Sequence, residues 1–364
     1  MKRNYGIDLL RLVLMYMVVV LHVLGHGGVL DAVQFPSAQY GSAYALESLA
    51  FGAVNAYGMI TGYVSYGRKT RFSALGLLWM QTVLYSLGIS IFVWILRPQY
   101  FSLGMVLNQS FPLVRGAYWY FSAYAGLFLL IPILNAGIQA LEHPQAKKVV
   151  LFSFLVISVI PTFLGGDPFR LQMGYCTAWL IYLYFLGACI RKFDWGSHTS
   201  CKTGIAFYLL FSLLTWGGKL AVDYVTLNVF GETRAYINLY NYTSPTVILA
   251  AAFLLTTFRN MELKPSSQRI VAIFSPAAFG VYLIHEQGYF KAYFIADRFA
   301  WLAELNPFVL AIAAAAIAFG IFAACLTVDH VRHILFLRLK LKQRLDRMED
   351  KLTQSMHITK EESL

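Results

Sequence analysis

Charge is the scarcest ingredient of this 364-residue sequence: Asp, Glu, Lys and Arg make up 13% of it, where soluble domains carry about 25%. That shortage excludes a water-soluble globule, because a core of this length needs a polar surface and 58% of the residues are hydrophobic. Leu9 to Gly25, broken only by Arg11, Tyr16 and His22, leaves no solvated face. Cysteine is nearly as scarce. Cys176, Cys189, Cys201 and Cys325 stand singly, without ligand spacing, which excludes a disulfide framework and a sequence-local zinc site. No small-residue cleavage site closes the first apolar run and many similar runs follow, so it is expected to stay in the mature protein. No soluble catalytic domain, internal repeat or low-complexity linker is visible either. Any chemistry is therefore expected among membrane helices.

What the chain has in abundance is apolar runs of bilayer-spanning length, near 6–28, 43–66, 74–96, 118–140, 149–165, 174–190, 204–225, 244–258, 270–287 and 306–328. They predict an all-α polytopic membrane protein of about ten transmembrane helices in a lipid bilayer. The fifth, sixth and eighth are short, so one of them is a candidate for a re-entrant or tilted segment. An even count puts both termini on one side. On that arrangement 21 of the 29 Lys and Arg fall on the same face as the termini, and the positive-inside rule makes that face cytoplasmic. The formal charge of +11 thus reports topology and not a nucleic-acid partner.

Two regions follow: a transmembrane domain over 1–328 and a basic amphipathic cytoplasmic tail over 329–364. Between Val331 and Met356, apolar Ile334, Leu337, Leu341, Leu345, Met348 and Leu352 recur every three or four residues. Such a helix lies on the inner leaflet or pairs with a second copy as a short coil, giving a homodimer. The outer segments 97–117 and 226–243 are rich in Tyr, Phe and Asn, which suits stacking on sugars or an interfacial aromatic belt.

Ionisable side chains at membrane depth cost roughly 2.5–3.5 kcal/mol or more, so each is a functional candidate. The first helix, GIDLLRLVLMYMVVVLHVLGHGG, holds Asp8, Arg11, His22 and His26. Arg11 and His22 are eleven residues apart, three turns plus about 20°, so they share a face and lie roughly 16 Å apart along the axis. They can line the two ends of one cleft. The plainer reading has Arg11 snorkelling to the interface beside Asp8 while His22 bonds a neighbouring helix. His22 and His26 at i,i+4 could also hold a metal, but no carboxylate or third His is near in sequence, and no metal is expected.

Arg11, ten intervening residues and His22 together resemble the membrane acyltransferase-3 family. Further segments are similar in order: VNAYGMITGYV, with Thr61 where the family has Ser; RKTR, with Arg68 and Arg71 like an Arg-x-x-Arg motif; YWYFSAYAGLFLLIPIL, lacking the Glu some members carry near Tyr124; YFLGACI; and SPAAFGVYLIH, ending at His285. The resemblance runs from about residue 5 to 328. It implies an integral membrane O-acyltransferase taking an acyl group, expected to be acetyl, from acyl-CoA (acetyl-CoA) to an extracytoplasmic carbohydrate acceptor of the cell surface. Some members carry an added extracytoplasmic hydrolase-like domain; none is visible here, so the chain is expected to complete the transfer itself or hand on to a partner.

The resemblance marks His22 as catalytic and Arg11, Arg68 and Arg71 as donor-binding. It brings in Asn55, Trp119, Tyr120 and His285 as substrate-positioning or supporting groups. The chemistry agrees: His serves as base or acyl carrier near neutral pH, and the anionic nucleotide end of acyl-CoA suits arginines on a cytoplasmic face. For RKTR a plain topology signal explains the charges equally. Asn55, Trp119 and Tyr120 also suit polar packing, and His285 with Glu286 suits either acceptor contact, orientation of His22 or an interfacial pair. The expected location is a bacterial-type plasma membrane. The rival is a transporter or flippase for a glycan precursor or small solute, although no repeated halves or paired broken helices appear.

Overall fold

The computed structural model describes residues 3–233 and 239–361, with side chains to Ser355. Lys2 of the basic clusters and the 234–238 part of the 226–243 segment lie outside the described residues. All regular elements among the described residues are helical. Seven helical stretches among the described residues are long and apolar enough to cross a bilayer: Tyr5–Ala32, Phe72–Leu96, Trp119–Ala140, His143–Leu164, Cys201–Phe230, Pro265–His285 and Pro307–Arg338. The other three apolar runs fall on shorter pieces. One is a pair, Ala38–Phe51 and Ala53–Ser65, broken at Gly52. The others are Thr177–Lys192 and Pro245–Arg259, of 16 and 15 residues, or about 22–24 Å at 1.5 Å per residue. By length alone the count is seven. These short helices are lined with buried side chains such as Trp179, Tyr184, Ile248 and Leu255, so protein rather than lipid surrounds much of their surface.

The first helix is the axis of the bundle. Asn4 caps it by accepting from the Ile7 amide at 3.1 Å, and 61% of its apolar window is buried, against 11% for His143–Leu164 on the outside. It packs on Ala38–Phe51, Ala53–Ser65, Pro245–Arg259, Ala278–His285 and Pro307–Arg338. The peripheral helices turn Leu, Ile and Phe outward, Phe152, Leu164 and Ile312 among them, as lipid contact requires.

Ala53–Ser65 and Thr177–Lys192 cross at backbone contact. A Cβ on Gly187 would stand 1.9 Å from the Met59 carbonyl oxygen, and one on Gly62 would stand 2.0 Å from that of Tyr184. Small residues permit this approach, which supplies packing that apolar attraction cannot supply between helices in lipid.

Basic residues from distant segments meet at one end. Arg3, Arg11, Arg68 and Arg191 border a single pocket, Asn4 donates to the Arg259 carbonyl at 2.9 Å, and Arg259 pairs with Asp194. Helix Pro307–Arg338 continues unbroken through residue 328. Just beyond, buried Asp329 accepts from Gln81 at 3.0 Å, Tyr85 at 2.7 Å and Arg332 at 3.0 and 2.5 Å. The tail helix, Leu341–Glu361, then docks on the start of Phe72–Leu96. Glu349 accepts the amides of Phe72 at 3.1 Å and Ser73 at 2.9 Å, and so caps from outside a helix whose own Arg71 offers no side-chain cap.

Candidate active site

His22 lies in the last turn of the first helix, opposite the end of Ala278–His285. His285 Nδ1 is 2.6 Å from the Val281 carbonyl oxygen, one turn earlier. A carbonyl only accepts, so the proton sits on His285 Nδ1, and in the neutral ring Nε2 is then an acceptor. His285 Nε2 is 2.7 Å from His22 Nδ1, which makes His22 the donor of that bond. The network therefore assigns His22 the Nδ1–H tautomer and leaves its Nε2 as the basic position.

Glu286 completes the cluster. Its Oε1 is 3.2 Å from His22 Nδ1 and 3.5 Å from His26 Nε2, while Oε2 accepts from Lys291 Nζ at 3.1 Å. Oε1 is buried and has no hydrogen-bond partner. A carboxylate so placed stabilises positive charge on His22 when that ring takes up a proton.

The ligand atoms of His22, His285 and Glu286 lie within 4.8 Å of one another, which raises the metal question again. Two nitrogens on a tetrahedral ion at about 2.0–2.1 Å would stand about 3.3 Å apart. The 2.7 Å separation of His22 Nδ1 and His285 Nε2 fits a shared proton instead.

His22 opens on a cavity of about 330 Å³ also bordered by Met15, Val18, Glu47, Tyr57, Trp119, Tyr120, Tyr175, Tyr242 and Glu286. Its aromatic wall is continuous: Phe51 stacks on Tyr242 at 5.0 Å, Tyr242 lies 5.1 Å from Tyr175, and Tyr175 lies 4.6 Å from Trp119. The first helix presents Arg11, Met15, Val18 and His22 on one face. Met15, Val18 and His22 border this cavity, and Arg11 borders the basic pocket of about 520 Å³ at the other end.

The sequence candidates divide accordingly. His22, His285 and Glu286 come together. Trp119 and Tyr120 line the cavity. Asn55 is fully buried and spans two partners, donating to the Tyr242 carbonyl at 2.7 Å and accepting from Trp179 at 3.0 Å, so it braces the wall rather than facing the cavity. Arg11, paired with Asp8 at 2.9 Å, and Arg68 border the basic pocket. Arg71 does not. It turns to the tail helix, 2.6 Å from Asp350 and 3.5 Å from Asp346.

The 97–117 segment contributes nothing to the cavity wall. Its Leu103–Ser110 helix packs on Phe72–Leu96, where Gln109 accepts from Ser86 at 2.5 Å. Sequence reasoning missed Glu47, Tyr57, Tyr175 and Lys291 around the cavity, and Arg191 in the basic pocket. Only the rule that buried charge is functional could have flagged Glu47.

Among families of known proteins, an acyltransferase domain family, acyltransferase 3, matches residues 4–327. No curated protein matches the chain. No solved structure matches it.

Proposed function

Because the chain belongs to the acyltransferase-3 family and is a multi-pass membrane protein, we propose that it moves an acetyl group from cytoplasmic acetyl-CoA to a hydroxyl of an extracytoplasmic glycan in a bacterial-type plasma membrane. The observation that carries this reading is the shared face of the first helix, with an arginine pocket at Arg11 and a proton-accepting His22 at its other end.

Arg3, Arg11, Arg68 and Arg191 suit a phosphate-bearing nucleotide, since guanidinium forks pair with phosphate oxygens. Donor binding at this end directs the thioester toward His22, along the face that carries Met15 and Val18. An acceptor hydroxyl gives its proton to His22 Nε2 as its oxygen attacks the thioester carbon. The new C–O bond forms, the C–S bond breaks, and the imidazolium returns the proton to the departing thiolate. His285 holds the tautomer and Glu286 stabilises the charged ring. Direct attack needs no acyl-enzyme.

Mass spectrometry of surface polysaccharide from cells with and without the gene tests the proposal. An acetyl-sized mass difference, abolished equally by deletion and by His22→Ala, is expected. Identical polysaccharide in all three strains would reject it.

A further inference from the structure

Glu47 is an acidic group of the cavity wall that the chemistry above leaves unused. It sits on Ala38–Phe51, 8% exposed, and borders the same cavity as His22. Its Oε2 is buried without a hydrogen-bond partner, and it has no ion pair among the described residues. The neighbouring charges are already committed. Lys219 holds both oxygens of Asp223 at 3.0 and 2.9 Å, and Lys291 neutralises Glu286. A carboxylate is costly in such surroundings, and a structural role would have given it a partner.

One turn on, Phe51 faces the same cavity. Its ring stacks on Tyr242 with 29° between planes, and Tyr242 lies 21° from the plane of Trp119 at 6.5 Å. An unpaired carboxyl group beside a run of near-parallel rings offers two complementary contacts to a pyranose: hydrogen-bonding oxygens for adjacent hydroxyls, and apolar faces for its C–H surface. At about 330 Å³ the cavity is at the small end of ligand sites. It suits one ring and its substituents.

We propose that Glu47, with the Phe51, Tyr242 and Trp119 wall, is the specificity-determining element for the acceptor and selects an uncharged pyranose by its hydroxyl groups. The inference rests on the transferase reading for the word acceptor, but the binding site stands on its own geometry. A uronate would have to bring its own charge out of water into a cavity whose cation, Lys291, already neutralises Glu286, and is disfavoured.

The test uses the full chain in nanodiscs, with methyl glucopyranoside, methyl galactopyranoside and methyl glucuronide as probes, binding being read by calorimetry. The neutral glycosides are expected to bind about tenfold or more tightly than the glucuronide. Glu47→Leu should weaken neutral binding by about tenfold, as loss of a buried hydrogen-bonding carboxyl predicts. Glu47→Gln, which keeps one acceptor oxygen, should fall between. Replacing a buried carboxylate by Leu removes a desolvation cost, so thermal stability should hold or rise, and acetyl-CoA affinity should be unchanged. Wild-type affinity in the Leu variant, equal binding of glucuronide and glucoside, or a parallel loss of acetyl-CoA affinity would each overturn the assignment. Failure of the transferase reading looks different: glycosides bind through Glu47, yet no thiol is released from acetyl-CoA in their presence.

Discussion

A group bonded to one nitrogen of a histidine fixes which tautomer presents the other nitrogen as a base, and here the holding group is another histidine. His22 and His285 are 263 residues apart in sequence, so spacing along one helix could not bring them together, although each closes a stretch that resembled the same family. The first helix alone offered His26 only as a second metal ligand beside His22, a reading set aside, and His26 does lie nearby at a ring separation of 4.9 Å. What singles out His22 is the bond at Nδ1. His22→Ala should therefore lower acetyl transfer by about 10²-fold or more in protein that still inserts and folds, while His26→Ala, which leaves the His22–His285 pair intact, should cost much less. Equal losses in a transfer assay would contradict the tautomer argument. The short nitrogen–nitrogen distance has its own consequence: overnight dialysis against EDTA should leave turnover unchanged, and activity restored only by added zinc would show that a metal replaces the shared proton.

Individual helices show why equal sequence signals took different roles. Arg68 and Arg71 are three residues apart in RKTR and alike in type, yet Arg68 borders the basic pocket and Arg71 meets Asp346 and Asp350. The tail read as a basic amphipathic helix because basic residues fall between its regularly spaced apolar ones and its eight Lys and Arg exceed its six Asp and Glu. Asp346, Glu349 and Asp350 lie about one turn apart on that helix, and the sequence of the tail alone gave no sign of their partner across the fold. Arg68→Ala is expected to raise the KM for acetyl-CoA, whereas Arg71→Ala should loosen the tail and leave that KM near normal; the reverse result in donor titrations would refute this division.

The tail dock is also pH dependent. Partial burial works to raise the Glu349 carboxyl, and the Ser73 and Phe72 amides with Arg71 outweigh it, so the pKa is lowered. A lowered carboxyl pKa stabilises the docked form above the undocked pKa and loses that contribution as pH falls through the docked value. Limited proteolysis should find the tail protected at neutral pH and cut faster only below the ordinary carboxylate range. The YFLGACI stretch carries a packing signal instead: Gly187→Val should cost about 1–3 kcal/mol or more through overpacking, seen as a lower melting temperature in detergent.

For the whole molecule, composition fixed the solvent of the protein, and hydropathy located nearly every helix, because a lipid-facing helix must be apolar along its length. Length was less legible. Thr177–Lys192 and Pro245–Arg259 are too short to qualify as spans on their own, since helices surrounded by other helices escape the demand that lipid makes of the periphery. The meeting of Arg3, Arg68 and Arg191 at one end carries the positive-inside argument into three dimensions. On the proposed function that end faces the cytoplasm and its acetyl-CoA, and the His22 cavity lies in the outer half with the glycan acceptor. Single cysteines introduced in a cysteine-free background test the assignment. A membrane-impermeant maleimide applied from outside should label Ser102→Cys and Asn228→Cys, and should reach Thr70→Cys and Thr199→Cys only after the membrane is permeabilised. Labelling in the opposite order would put the arginine pocket outside, separate it from its donor and remove the physical basis for transfer across the bilayer.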